Sequence, residues 1–355
     1  MAYDPFSRGP YPVGVGTHTL TDAARDRVLP VEYWYPATDA HRGQDVAEHS
    51  IDHYDLLPGF PAVTQDAVRG AAARSGTYPL VLFSHGFGAH RRQSTFFCTH
   101  LASHGYVVAA LDHTGNAIAD MMQLMMQVQG GAAPPDTGEM LAEFVEVRPA
   151  DVQFLLDELL GGAVQELIGM IDRERIGMSG HSFGGWTTLM VAGRDARIRA
   201  ALPLAPAGGW TPIPTTVLAE ALDFAWGRDV PTLYLVAERD TLLPLRGMRE
   251  LFDKTRSPRR MAVLKNADHM HFCDRIEEIH EMFRMMPPPG AFEELAKQVP
   301  PISQLVAPEH AYRFVRGLGL AHMDGALKND RGAAQLLADL RATLDAQGIA
   351  ADVLP

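Results

Sequence analysis

The sequence predicts an α/β protein built on a mostly parallel central sheet of about eight strands with helices on both faces, and three observations carry that expectation. Short, nearly continuous apolar runs at residues 79–84, 106–111, 175–179, 198–204, 232–237 and 261–265 read as strands buried on both faces. Stretches of helical periodicity separate them, as where Val152, Leu155, Leu156 and Leu159 form one stripe. One run ends in Gly180-His181-Ser182-Phe183-Gly184 and continues into the helix-like residues 186–192, a strand, a sharp turn and a helix.

Size and charge narrow the function classes. At 355 residues the chain suits one α/β domain (residues 1–355) enlarged by insertions. Its 46% hydrophobic content is enough for a large core, and a net charge of -12 argues against a nucleic-acid surface. Two cysteines, Cys98 and Cys273, cannot build a disulfide framework. A polar, proline-broken N-terminus and the lack of an uninterrupted apolar span point to a cytoplasmic protein with no membrane span. The sequence leaves the oligomeric state open.

In chain order, residues 13–20 and 28–35 are rich in β-branched and aromatic residues and suggest an antiparallel pair at a sheet edge. Residues 37–78 form a connector broken by Pro58, Gly59 and Pro61, with a short helix expected at residues 62–73. After the run at 79–84 comes His85-Gly86-Phe87-Gly88, then a helical stretch at 94–104. A glycine-rich loop at the end of a central strand is where this architecture supplies a backbone N–H to an oxyanion; Phe87 is the expected donor, and His85 is expected to brace the loop.

At residues 114–147 the pattern breaks. Met121, Met122, Leu124, Met125, Met126 and Val128 crowd together before a Gly/Pro stretch at 130–138. Methionine adapts to irregular apolar partners, so this segment is expected to form a lid, with Met121, Met122 and Met125 as substrate contacts. Residues 148–160 read as an ordinary amphipathic helix. A connector holding Trp210, a further substrate-contact candidate, separates the runs at 198–204 and 232–237. Residues 272–312, with Pro287, Pro288 and Pro289, read as a second insertion or cap, and residues 310–320 and 332–344 as closing helices.

The chemistry is expected at the turn. A serine hydroxyl is a weak nucleophile at its own pKa, so Ser182 requires a base, an orienting acid and donors for a developing oxyanion. Asp240 and His269 each follow a predicted strand, in the order serine, acid, histidine, and ligands bind beyond the carboxyl ends of such strands. In this reading His269 is the general base, Asp240 holds its tautomer, and the Phe87 and Phe183 amides bind the oxyanion. His271 competes as base, and Glu238 and Asp268 as acid; His113, His181 and His322 read as structural. No ligand spacing supports a metal site.

The blocks Phe83-Ser84-His85-Gly86-Phe87-Gly88-Ala89, Leu101-Ala102-Ser103-His104-Gly105-Tyr106-Val107-Val108-Ala109-Ala110 and Gly180-His181-Ser182-Phe183-Gly184-Gly185 together resemble the serine-dependent platelet-activating-factor acetylhydrolase family and its bacterial relatives, the predicted dienelactone hydrolases. The resemblance implies an α/β-hydrolase fold, hydrolysis of a small-molecule carboxylic ester through an acyl-enzyme, no cofactor, nucleophile Ser182, base His269, and Phe87 and Phe183 as oxyanion donors. In one respect the chain departs: the family's lipase carries its acid after the strand that follows the nucleophile, where this chain has Ala205. The acid then falls to Asp240, in a turn similar to those of dienelactone hydrolases and cutinase-like polyester hydrolases. Small to medium lipophilic esters are the expected substrates, with an amide, carbamate or peptide bond as the alternative, and a non-catalytic ligand-binding protein as a further one.

Overall fold

The computed structural model describes residues 3–56, 61–133, 135–213, 215–287 and 291–354. Pro58, Gly59, Pro288 and Pro289, among the expected breaks, lie outside them. The chain divides into two compact units, Arg8–Gly177 and Met178–Pro355 together with Met1–Ser7.

In the Arg8–Gly177 unit, β1 (Val13–Asp22) and β2 (Arg27–Pro36) form the expected antiparallel pair, in register from Val13 opposite Pro36 to Asp22 opposite Arg27. Asp22 Oδ1 accepts the Ala24 and Arg25 amides and closes the turn. β3 (Asp52–Tyr54) and β4 (Val63–Gln65) make a small separate sheet, and β5 (Val68–Arg69) runs parallel to β1. The helix expected at residues 62–73 is therefore not formed. Burial of Glu32 explains this: Arg69 and Arg92 pair with it at 2.9 Å each, while Gln65 takes the Trp34 indole N–H at 2.7 Å and donates to Asp52. Those partners outweigh a weak local helix preference.

β6 (Tyr78–Ser84), α1 (Thr95–Ser103) and β7 (Val107–Leu111) follow, the two strands parallel with Ser84 opposite Leu111. Then come α2 (Ile118–Gln129), α3 (Thr137–Gly161) and β8 (Ile171–His181). The strand order here is β8-β6-β7-β2-β1-β5. The helix expected to start at residue 148 is the second half of α3, which has 25 residues and carries Pro149 inside it. Its true start is Asp136, whose side chain accepts the Glu139 amide at 2.9 Å.

The second unit continues from β8 with α4 (Phe183–Arg194), β9 (Ile198–Leu204), α5 (Thr216–Ala221), β10 (Thr232–Ala237), α6 (Leu245–Lys254) and β11 (Arg259–Leu264). It closes with α7 (Ile276–Met285), α8 (Ala291–Ala296), α9 (Pro308–Leu327), α10 (Arg331–Ala338), α11 (Leu340–Ala346) and β12 (Ala351–Leu354). The order is β12-β11-β10-β9-β8, with β9, β10 and β11 parallel and β12 antiparallel to β11. Trp186, Leu202, Tyr234, Leu235 and Phe314 fill the core against these strands. The eight strands read from the sequence are present, and β5 and β12 add two short edge strands. No described helix is long and apolar enough to cross a membrane.

Candidate active site

Ser182 stands alone between β8 and α4, with φ 59° and ψ -117°. A residue other than glycine holds such a conformation at a cost of about 1–3 kcal/mol only when its surroundings fix it. Three neighbours do so: its N–H donates to Leu204 O at 2.9 Å, and its carbonyl accepts the Trp186 and Ala207 amides at 3.0 Å each. The turn also needs close packing on β9. A Cβ on Gly185 would lie 2.8 Å from Pro206 Cα, so only glycine fits there.

Beyond β10, Asp240 is anchored by its own loop. Its Oδ1 accepts the Leu242 and Leu243 amides at 3.0 and 2.7 Å, which leaves Oδ2 to accept His269 Nδ1–H at 2.6 Å. Both side chains are buried. His269 opens the 3-10 turn His269–Phe272 after β11. Burial disfavours the imidazolium, but the charge and hydrogen bond of Asp240, aided by the charge of Asp268, outweigh it and hold the His269 pKa above its ordinary value. The bond to Asp240 fixes the tautomer, so Nε2 is the nitrogen left to take a proton.

The rival groups are committed elsewhere. His271 Nε2–H donates to Val306 O at 3.1 Å and its Nδ1 accepts the Asp268 amide at 3.0 Å; burial lowers its pKa to about 4. Glu238 binds Lys265 Nζ and the Asn266 amide. His181 Nε2–H donates to His269 O at 3.0 Å, its ring lies tilted against the His269 ring with centroids 4.5 Å apart, and burial keeps it neutral. Ala205, which the resemblance places where the family's lipase has its acid, is buried at φ 39° with its amide on Leu235 O.

Asp268 is the strained member. Burial first, and then the Asp240 charge, push its pKa up to about 7, and its Oδ2 has no hydrogen-bond partner among the described residues. Because the folded state binds this proton more tightly than the unfolded chain, the stability it contributes is full below about pH 4 and lost as pH rises toward 7. Asp268→Asn is therefore expected to gain thermal stability relative to the parent at pH 8 and little at pH 5. Melting temperatures at the two pH values check this; an equal loss at both would contradict it.

Trp210 is positioned by glycine. A Cβ on Gly247 would lie 2.3 Å from Trp210 O, so the loop rests directly on α6, and Arg246 lies over the indole at 4.8 Å. Trp210, 43% exposed, lines a cleft of about 580 Å³ with Pro212, Asp240, Thr241, Pro244 and Leu295. Phe183 is buried at the start of α4, its ring 5.2 Å from that of Trp186.

The other expected residues lie in the Arg8–Gly177 unit. Phe87 is exposed, with its ring edge toward Phe144 at 6.1 Å. Met121 packs beside Gly88, Met122 is half-buried, and Met125 is 49% exposed. Among the described residues no group of three or more His, Cys, Asp or Glu could hold a metal ion.

A strained serine turn feeding a helix, and a carboxylate–imidazole pair beyond the later strands, fit the α/β-hydrolase fold, and the comparisons with known proteins make the chain a serine ester hydrolase. Residues 21–133 match the family model of platelet-activating factor acetylhydrolase, isoform II, and residues 147–284 match that of PET hydrolase-like proteins. The chain is similar to the platelet-activating factor acetylhydrolase of Cavia porcellus, 25% identical over 76% of this chain and 68% of that one. It is also similar to cutinase est1 of Thermobifida alba, 28% identical over 57% of this chain and 56% of that one. A solved ferulic acid esterase from Streptomyces cinnamoneus superposes over 90% of this chain and 92% of its own, with a TM-score of 0.61 and 27% identity. Neither family model covers half of the chain; together with the relatives they show its similarity to platelet-activating-factor-acetylhydrolase-like and cutinase-like hydrolases.

Proposed function

We propose that Ser182, His269 and Asp240 form the catalytic triad of an esterase for small to medium lipophilic esters. The observation that carries this reading is the 2.6 Å bond from His269 Nδ1 to Asp240 Oδ2, in the unit that also holds Ser182 in its strained turn. In the proposed reaction His269 Nε2 takes the Ser182 proton as Oγ attacks the ester carbonyl. The Phe87 and Phe183 amides stabilise the oxyanion, and the alcohol leaves with the proton from His269. Water then attacks the acyl-enzyme by the same route in reverse and frees the acid.

Apolar surface supports the lipophilic substrate. Met125 and Met126 on α2 and Met282, Met285 and Met286 around the end of α7 are exposed, in the two segments, 114–147 and 272–312, read as insertions. With Trp210 beside the Asp240 loop, aromatic esters suit the cleft. Trp210→Ala is expected to raise KM for an aryl ester about three- to tenfold, with a smaller effect on an acetyl ester of an aliphatic alcohol, as loss of one aromatic contact implies. Steady-state kinetics on the two esters check this. Two buried free cysteines fit a reducing, cytoplasmic setting.

Matched nitrophenyl ester and nitroanilide substrates test the bond type. Ester turnover well above anilide turnover is expected; anilide turnover equal to or above it would assign an amidase instead.

A further inference from the structure

The Arg8–Gly177 unit contains a second chain of serine, histidine and aspartate, fully buried and outside the proposed chemistry. Ser84, at the end of β6, donates its hydroxyl to His113 Nε2 at 2.9 Å, and His113 Nδ1–H donates to Asp151 Oδ2 at 3.2 Å. Arg27 and Arg25 neutralise Asp151 from the other side. Arg148, one turn earlier on α3, donates to Ser84 Oγ at 3.0 Å, to Asn116 Oδ1 and to the carbonyl of His85. None of Ser84, His113, Arg148 and Asp151 is exposed, so this is no second active site.

Its connections run to one peptide group. The His113 amide donates to His85 Nε2 at 3.1 Å, which forces the His85 proton onto Nδ1, and Nδ1–H donates to Gly86 O at 2.7 Å. The Gly86 amide is held in turn by Gln93 Oε1 at 2.7 Å. Gly86 C=O and Phe87 N–H are the two ends of one planar unit, so fixing and polarising the carbonyl orients the amide and strengthens it as a donor. Burial and the nearby Arg148 charge hold both His85 and His113 neutral, which keeps this one-way arrangement of donors.

We infer that Arg148 and the Asp151–His113–Ser84 relay are positioning groups that aim the Phe87 amide, through the Arg148 and His85 hydrogen bonds to the loop at His85–Phe87. The inference rests on the proposed role of that amide as an oxyanion donor. Arg148 also places a buried positive charge beside a loop that is to face developing negative charge.

The test separates transition-state from ground-state binding, using an alkyl trifluoromethyl ketone, whose hemiketal with the nucleophile needs the oxyanion donors. Arg148→Met is expected to lower kcat on the order of 10- to 100-fold, to leave KM within about twofold, and to weaken the ketone by the same factor as kcat, as misaiming one donor implies. Arg148→Lys, which keeps the charge and one donor, is expected to recover part of both. A ketone affinity unchanged in folded Arg148→Met overturns the inference. If that variant does not fold, Ser84→Ala decides: a parallel fall in kcat and ketone affinity, about tenfold or less, supports it, and no fall overturns it. A parent enzyme that does not bind the ketone at all would instead overturn the oxyanion reading beneath.

Discussion

Ser182→Ala is expected to lower kcat on the order of 100,000-fold or more while leaving KM and the melting temperature close to those of the parent, because in the proposed triad the three groups act as a unit and the first bond cannot form without Oγ. The residue lies at the strained turn with its backbone held by Leu204, Trp186 and Ala207, none of which needs the hydroxyl. Alanine tolerates the same backbone no worse than serine. Initial rates on a nitrophenyl ester with thermal melts check both halves. Activity above about one per cent of the parent would remove Ser182 from the role of nucleophile.

The second large effect separates two histidines that lie two residues apart. His269→Ala is expected to lose roughly ten-thousandfold or more in kcat, and His271→Ala to stay within about threefold while losing about 1–3 kcal/mol of stability with its two buried hydrogen bonds. Asp240→Asn is expected to lose about 10,000-fold, since an amide in place of the carboxylate favours the wrong tautomer. It should also change the pH profile. Asp240 is what raises His269 above its ordinary pKa, so the parent loses activity as pH falls through a value above about 6.5, and the variant's residual activity should hold to lower pH. Profiles of kcat/KM from pH 5 to 9 measure this; an acid limb unmoved in Asp240→Asn would mean that another group sets it.

Much of this site could be read from the chain because its parts are local. Ser182 is announced by small residues on both sides of a strand-to-helix turn, and β9 and β10 occupy the very residues that their nearly continuous apolar runs mark, as strands buried over most of their length do. Asp240 and His269, expected from their place just after such strands, are hydrogen-bonded to each other in the structure. What could not be read depends on partners remote in sequence. Residues 62–73 look helical alone, yet Gln65 and Arg69 are claimed by Glu32 and Asp52. β12 has four residues and no pattern of its own, and exists because β11 offers it an edge. The amphipathic stretch read at residues 148–160 is only the second half of α3, which continues through Pro149. The buried relay left a trace that went unused: Arg148 falls on the same helical stripe as Val152, Leu155 and Leu159, and a charge on an apolar stripe signals a buried partner.

Covalent labelling tests the central assignment most directly. The folded parent, His269→Ala and His271→Ala are incubated with a fluorophosphonate, and peptide mass spectrometry locates and times the adduct. The account predicts one adduct, on Ser182, formed at the parent rate in His271→Ala and slowed at least a hundredfold in His269→Ala. An adduct on another residue, or labelling of Ser182 that does not depend on the His269 imidazole, would contradict it.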